Sequence, residues 1–233
     1  MMKVQRIRIT YGRGYQAREM SHLETMRALE QGMRAAGLPL TYAEGRRRTP
    51  QISIALPLAV GATSDCELAD VYLSERVTTA ALLSALRPAL AAVLTALAAE
   101  EVGLAAPALQ THVRWAEYEV DVPGGQRSAA EVRRAIGELL GARSLPWEHQ
   151  RTAKLQRYDL RLLVVDLRLE AEGEGVHRLA MRLRVSQERS GRADQVVAAL
   201  GLGPPLRVHR RRLYVEETPA AVQAYRRRSE RED

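Results

Sequence analysis

The sequence contains no phenylalanine, one cysteine and only two lysines, Lys3 and Lys154. With Cys66 alone, no disulfide framework can form within the chain. Aromatic residues make up 4% of the sequence. Without phenylalanine there is no run like the Gly-Phe-Gly-Phe-Val segment with which an ordinary RNA-recognition motif stacks bases. No apolar stretch approaches the roughly 20 residues of a membrane helix. The longest candidate, Leu82 to Ala99, is broken by Arg87 and Pro88. The first residues, "MMKVQRIRIT", have no apolar core, so no secretory signal is expected and a cytoplasmic location is. Gly12-Arg13-Gly14 lacks the third glycine of a dinucleotide loop, and no P-loop, HExxH or GxSxG occurs. His112, His149, His177 and His209 have no metal-ligand spacing. No metal and no cofactor are therefore expected.

What is abundant is arginine. Lysine plus arginine total 35 against 28 acidic residues, a net charge of +7, and 33 of the 35 are arginine. The planar guanidinium fork binds phosphate bidentately and stacks on bases, which suits a nucleic-acid partner. A GC-rich coding sequence explains arginine in place of lysine and the absence of phenylalanine, but not the positive balance. The 233 residues are comfortable for two domains of about 100 to 125 residues each.

Residues Val4 to Tyr11 alternate, with Ile7, Ile9 and Tyr11 on one face, which predicts a strand. The segment "SHLETMRALEQGMRAAG" predicts a helix. Ser21 and Glu24 form a capping box, His22, Met26, Leu29, Met33 and Ala36 recur at helical spacing, and Gly37 and Pro39 end it. "LPLTY", "QISIALPL" and "CELADVYL" predict strands, and "TTAALLSALR" a helix that Pro88 ends or kinks. Ala89 to Glu101 is helical by propensity but stands where a strand is due. After a linker at "GLAAPALQTH" the pattern restarts. "THVRWAEYEVDV" predicts a strand and "SAAEVRRAIGELLG" a helix with a second capping box, Ser128 and Glu131. "YDLRLLVVDLRLEA" and "VHRLAMRLRVS" predict strands, "RADQVVAALG" a short helix and "LRVHRRRLYVE" a last strand. Residues 217–233 predict a charged tail, frayed or disordered. Each half thus has the element order of the split βαβ unit. The expected fold is α+β, two tandem ferredoxin-like domains with antiparallel sheets, at residues 1–106 and 107–216.

The segment Met20 to Ile54 resembles the radical SAM-linked proteins, a bacterial domain of unknown function of the DUF2344 kind. Ser21, His22, Leu23, Met26, Arg27, Gly37, Pro39, Tyr42, Gly45, Pro50, Ile52 and Ser53 carry the resemblance, and it extends over Val4 to Glu216. This sequence departs from the family pattern where Arg46, Arg47 and Arg48 replace Phe-Asn-Pro, and at Gln51 and Met20. The family's turn before the fourth strand is absent around Ala91 to Val93, yet its pattern still favours a strand there. The resemblance implies a radical SAM protein as partner. It does not imply that chemistry in this chain, because the cluster needs three closely spaced thiolates.

Two basic groups are candidate phosphate contacts: Arg46, Arg47 and Arg48 in a loop, with Arg27 nearby in sequence, and Arg207, His209, Arg210, Arg211 and Arg212 in the last strand. Either could equally be a solvated charge run. His22 stands in the first turn of a helix, close to where ferredoxin-like endoribonucleases of the CRISPR repeat-processing kind place a general base. The positive helix end favours a neutral imidazole there. The alternative for His22 is a half-buried side chain packed on Met26. Asp159 and Arg161 look like an ion pair along a strand. The expected function is an RNA-binding accessory protein, for tRNA or rRNA, of a radical SAM modification enzyme. Two alternatives stay open: a metal-independent endoribonuclease using His22, and a protein-binding adaptor that touches no RNA.

Overall fold

The computed structural model describes residues 2–43, 49–125, 127–151, 154–173, 175–186 and 188–216; Arg46, Arg47, Arg48 and the tail 217–233 lie outside the described residues. These residues form two compact units, one running to Val113 and joined by Val215 and Glu216, the other Arg114 to Tyr214.

The first unit runs β1 (Gln5–Arg13), α1 (His22–Ala35), β2 (Ile52–Ile54), β3 (Ala62–Leu73), α2 (Thr79–Leu90) and β4 (Thr95–Val102). Its sheet has the order β4-β1-β3-β2, with antiparallel neighbours throughout. Ile7, Ile9 and Tyr11 alternate onto the buried face of β1, as their spacing demands. Burial of each isoleucine stabilises the fold by about 1.5–3 kcal/mol. Helix α1 begins at its capping box: Ser21 Oγ accepts from the Glu24 amide at 3.3 Å, and the Glu24 carboxylate accepts from the Ser21 amide at 2.7 Å. It ends before Gly37, whose φ of +66° is the left-handed conformation glycine adopts without strain.

Three local expectations change. The buried stripe of α1 is Thr25, Ala28, Leu29, Gly32 and Met33, which leaves His22 and Leu23 exposed. "LPLTY" makes only isolated bridges, Leu40 to Leu73 and Tyr42 to Pro50, because Pro39 and Pro50 have no amide for a ladder. Pro88 does not end α2, which runs on to Leu90 so that Leu86 and Leu90 are both fully buried. The ambiguous segment then forms β4. Arg87 ties the two elements by donating to the carbonyls of Ala96 and Leu97.

The second unit runs β5 (Val113–Pro123), α3 (Ala129–Gly141), β6 (Pro146–Arg151), β7 (Lys154–Asp159), β8 (Val164–Gly173), β9 (Val176–Arg184), α4 (Ala193–Ala199) and β10 (Arg207–Val215). The sheet order is β10-β5-β9-β8, and β6 and β7 pair as a separate hairpin. This hairpin is absent from the sequence expectation, which ran one strand from Tyr158 to Ala171. The break has a local cause. Asp159 Oδ1 accepts the amides of Leu145 at 2.8 Å and Arg161 at 2.9 Å, which turns the chain and drives Leu160 into the core. Asp159 and Arg161 are thus not a strand-borne pair: the Arg161 guanidinium donates to the carbonyls of Leu140 and Val164.

Candidate nucleic-acid interface

Strand alternation places the functional side chains of the second unit. Along β5, Ala116, Tyr118, Val120 and Val122 are buried, while Trp115, Glu117, Glu119 and Asp121 point to the other face. The antiparallel register then sets Trp115 opposite Arg184, Glu117 opposite Arg182 and Asp121 opposite Arg178. On the next strand Asp166 lies opposite Arg182 and Arg168 opposite Ala180. Opposite charges therefore face each other across neighbouring strands.

The contacts are short. Arg182 Nη2 meets Glu117 Oε1 at 2.7 Å, Arg178 Nε meets Asp121 Oδ1 at 2.7 Å, and Arg168 Nη1 meets Asp166 Oδ2 at 3.0 Å. Arg211 pairs with Glu119, and Arg207 stands 3.7 Å from Glu119 and 3.6 Å from Asp121. Tyr214 donates to Glu117 Oε1 at 3.0 Å, and its ring is flanked by Arg182 at 5.4 Å, Arg212 at 5.6 Å and the Trp115 ring at 5.5 Å. The hydrogen bond from Arg178 is the main cause holding the Asp121 carboxyl below its usual range, against partial burial. At Glu117 burial pushes the carboxyl up, and the hydrogen bonds from Arg182 and Tyr214 outweigh it, so it too is lowered. Glu117 and Asp121 therefore carry their charge at neutral pH.

Between them opens a groove of about 270 Å³, lined by Arg168, Arg182, Arg211 and Arg212 and by Glu117, Glu119, Asp166 and Glu170. Guanidinium and carboxylate groups balance in it. Such a groove offers fixed donors and acceptors beside an aromatic ring, which suits the edge and face of a base more than a bare phosphate.

The last-strand cluster divides by burial and not by strand parity, with two adjacent buried residues between exposed ones. Arg207, Arg211 and Arg212 are at least partly exposed, and the first two are held by β5 carboxylates. His209 is 9% exposed and Arg210 2%, with Arg210 donating to the Tyr118 hydroxyl at 3.2 Å. Arg27 is exposed on α1, five residues from His22 and so on a different side of the helix. His22 is exposed beside a cleft of about 10 Å³ shared with Tyr11, Arg13, Thr25 and Glu67, the room of a single water. Sequence reasoning passed over Arg168, Arg178, Arg182, Trp115 and Tyr214. The available signal was the spacing of Arg178 and Arg182 in one strand and of Glu117, Glu119 and Asp121 in another. Among the described residues no cluster of histidine, cysteine and acidic groups could hold a metal ion. None of the described helices is long and apolar enough to cross a membrane.

A family model described as an uncharacterized protein conserved in bacteria, DUF2344, matches residues 6–193. No curated protein matches the chain. Among solved structures, a chain of a Cbf5-Nop10-Gar1 complex superimposes with a TM-score of 0.51 at 11% identity, covering 91% of this chain and 50% of its own. A chain of the archaeal box H/ACA sRNP Nop10-Cbf5 complex gives 0.47 at 12% identity, with 92% and 50% covered. A chain of an H/ACA RNP bound to a substrate RNA containing 2'-deoxyuridine gives 0.42 at 13% identity, with 89% and 49% covered. The first of these shows a shared fold, and the chain spans about half the length of these proteins.

Proposed function

The chain belongs to the bacterial DUF2344 family, and on that premise we propose that it is an RNA-binding accessory protein built of two tandem ferredoxin-like units, serving a radical SAM enzyme that modifies tRNA or rRNA. The strand orders β4-β1-β3-β2 and β10-β5-β9-β8, each with two helices, support the tandem ferredoxin-like reading. The observation that carries RNA binding is the groove on the second unit together with Tyr214 beside it, which bonds the lining Glu117 and is flanked by the lining Arg182 and Arg212. An unpaired base stacks on Tyr214 and its edge meets Glu117 and Arg182. Arg27, Arg46, Arg47 and Arg48 then add phosphate contacts, in keeping with the net charge of +7. The radical SAM partner rests on the resemblance of the Met20 to Ile54 segment.

The test is fluorescence anisotropy of labelled tRNA at several salt concentrations. Tyr214→Leu weakens binding by the value of one stacked base, about 1–3 kcal/mol. Replacing Arg46, Arg47 and Arg48 by glutamine lowers the salt slope by about 2, at about 0.7 per phosphate contact on single strands. Unchanged binding in both variants refutes the reading and leaves the protein-binding adaptor.

One observation favours a second reading, the metal-independent endoribonuclease: His22 shares its cleft with a phenol, Tyr11, and a guanidinium, Arg13. That reading requires cleavage that survives EDTA, leaves a cyclic phosphate and disappears in His22→Ala. RNA that stays intact after long incubation rules it out.

A further inference from the structure

The charged wall of the groove on the second unit sorts hydrogen-bond donors from acceptors. An ionised carboxylate accepts and does not donate, and a guanidinium donates and does not accept. Among the described residues that line the groove there are four carboxylates and four guanidinium groups but no side-chain amide, which combines both roles. A ligand matched to this wall keeps its own donors together and apart from its acceptors. The volume of about 270 Å³ falls just under the roughly 300–1,000 Å³ of pockets that enclose drug-sized molecules, so the groove takes one base at a time.

Glu117 and Arg182 show which base. Glu117 receives bonds from Arg182 Nε at 3.0 Å, from Arg182 Nη2 at 2.7 Å and from the Tyr214 hydroxyl at 3.0 Å, and all three end on Oε1. These bonds leave Oε2, with its two lone pairs, and Arg182 Nη1. The two side chains are 29% and 38% exposed, so a ligand in the groove reaches them from solvent. One donor nitrogen thus stands beside an oxygen that accepts twice. The Watson–Crick edges of unpaired bases differ in this respect. Guanine presents the acceptor O6 and then two donors, N1–H and N2–H. Uracil follows its one donor with a second acceptor, O2, which a carboxylate repels. Cytosine has two acceptors and one donor, and adenine has the single donor and acceptor that an amide matches.

We propose that the groove selects guanine, with Glu117 Oε2 accepting from N1–H and N2–H and Arg182 Nη1 donating to O6. This selection rests on the RNA reading, in which a base stacks on Tyr214. A guanine in single-stranded RNA and a free guanine nucleotide carry the same edge.

The test uses the full chain and fluorescence anisotropy of end-labelled uridine pentamers whose central base is guanine, adenine, cytosine, uracil or hypoxanthine. The guanine oligomer binds about five- to a hundredfold more tightly than the adenine, cytosine and uracil oligomers, the scale of one bidentate base contact. Hypoxanthine, which is guanine without the N2 amino group, loses most of that preference without any change to the protein. Glu117→Gln, which turns an acceptor into a donor, abolishes it. Guanosine monophosphate that displaces the guanine oligomer at an equal concentration identifies a free nucleotide as the ligand, and displacement only at a large excess identifies RNA. Equal binding of all the oligomers, weakened in each by Tyr214→Leu, leaves RNA binding in place and overturns guanine selection. A preference for another base, or one that hypoxanthine keeps in full, overturns it as well. No binding of any oligomer or of guanosine monophosphate overturns both.

Discussion

Replacing Asp70 by asparagine removes a buried carboxylate that two arginines of the first unit, Arg6 and Arg8, share. Asp70 is fully buried, the Arg6 side chain is 1% exposed and that of Arg8 16%. Arg6 reaches Asp70 Oδ2 through Nη2 at 2.5 Å and Nε at 3.0 Å, and Arg8 Nε reaches Oδ1 at 2.9 Å. After the substitution Arg6 keeps only neutral acceptors, the carbonyls of Ala106 and Pro107. A buried charge stripped of its partner costs about 3–5 kcal/mol, a large share of a typical stability of about 5–15 kcal/mol. At a urea m-value of about 2 kcal/mol/M, the midpoint falls by about 2 M. Because Arg6 also anchors the segment around Ala106, limited proteolysis there accelerates as well. The desolvation argument makes a second demand: the double variant Arg6→Met with Asp70→Leu, which removes both charges, loses less stability than Asp70→Asn alone. Urea unfolding measures both. A loss below about 1 kcal/mol for Asp70→Asn, the level of a surface pair, refutes the reasoning, as does a double variant less stable than the single one.

Gly32 packs α1 against α2 so closely that an added Cβ meets Leu90 Cδ2 at 2.3 Å and Cγ at 2.9 Å. The helix propensity of alanine, worth about 1 kcal/mol, is therefore outweighed by overpacking of about 1–3 kcal/mol. Gly32→Ala lowers the melting temperature, and Leu90→Ala in the same chain costs less than the two changes summed. Acid sensitivity follows from the charged face of the second unit. The Asp121 carboxyl is lowered chiefly by its bond to Arg178, and Glu117 is lowered by Arg182 and Tyr214 in spite of burial. A depressed carboxyl contributes its full stability above its unfolded pKa and loses it as pH falls through the folded value. The urea midpoint is thus level above about pH 5 and drops below about pH 4. Arg178→Gln flattens that drop, and an unchanged acid slope in this variant counts against the assignment.

Both capping boxes were legible in the sequence, since Ser21 with Glu24 and Ser128 with Glu131 bond within one helical turn. So were Gly37 as a helix stop and the inward side of β1, because these depend on neighbours a few residues away. The fate of the arginines was not legible. Arg207 to Arg212 read as one basic cluster, yet Arg210 lies buried on Tyr118, while Arg211 is held by Glu119 on the same neighbouring strand. Arg6 and Arg8 meet Asp70 across more than 60 residues of chain. The β6–β7 hairpin depended on what Asp159 bonds, which the pattern of Tyr158 to Ala171 does not display. An arginine's charge is written in the chain. Whether that charge is buried, neutralised or offered to a ligand depends on which strand lies beside it, and the packing of distant segments decides that register.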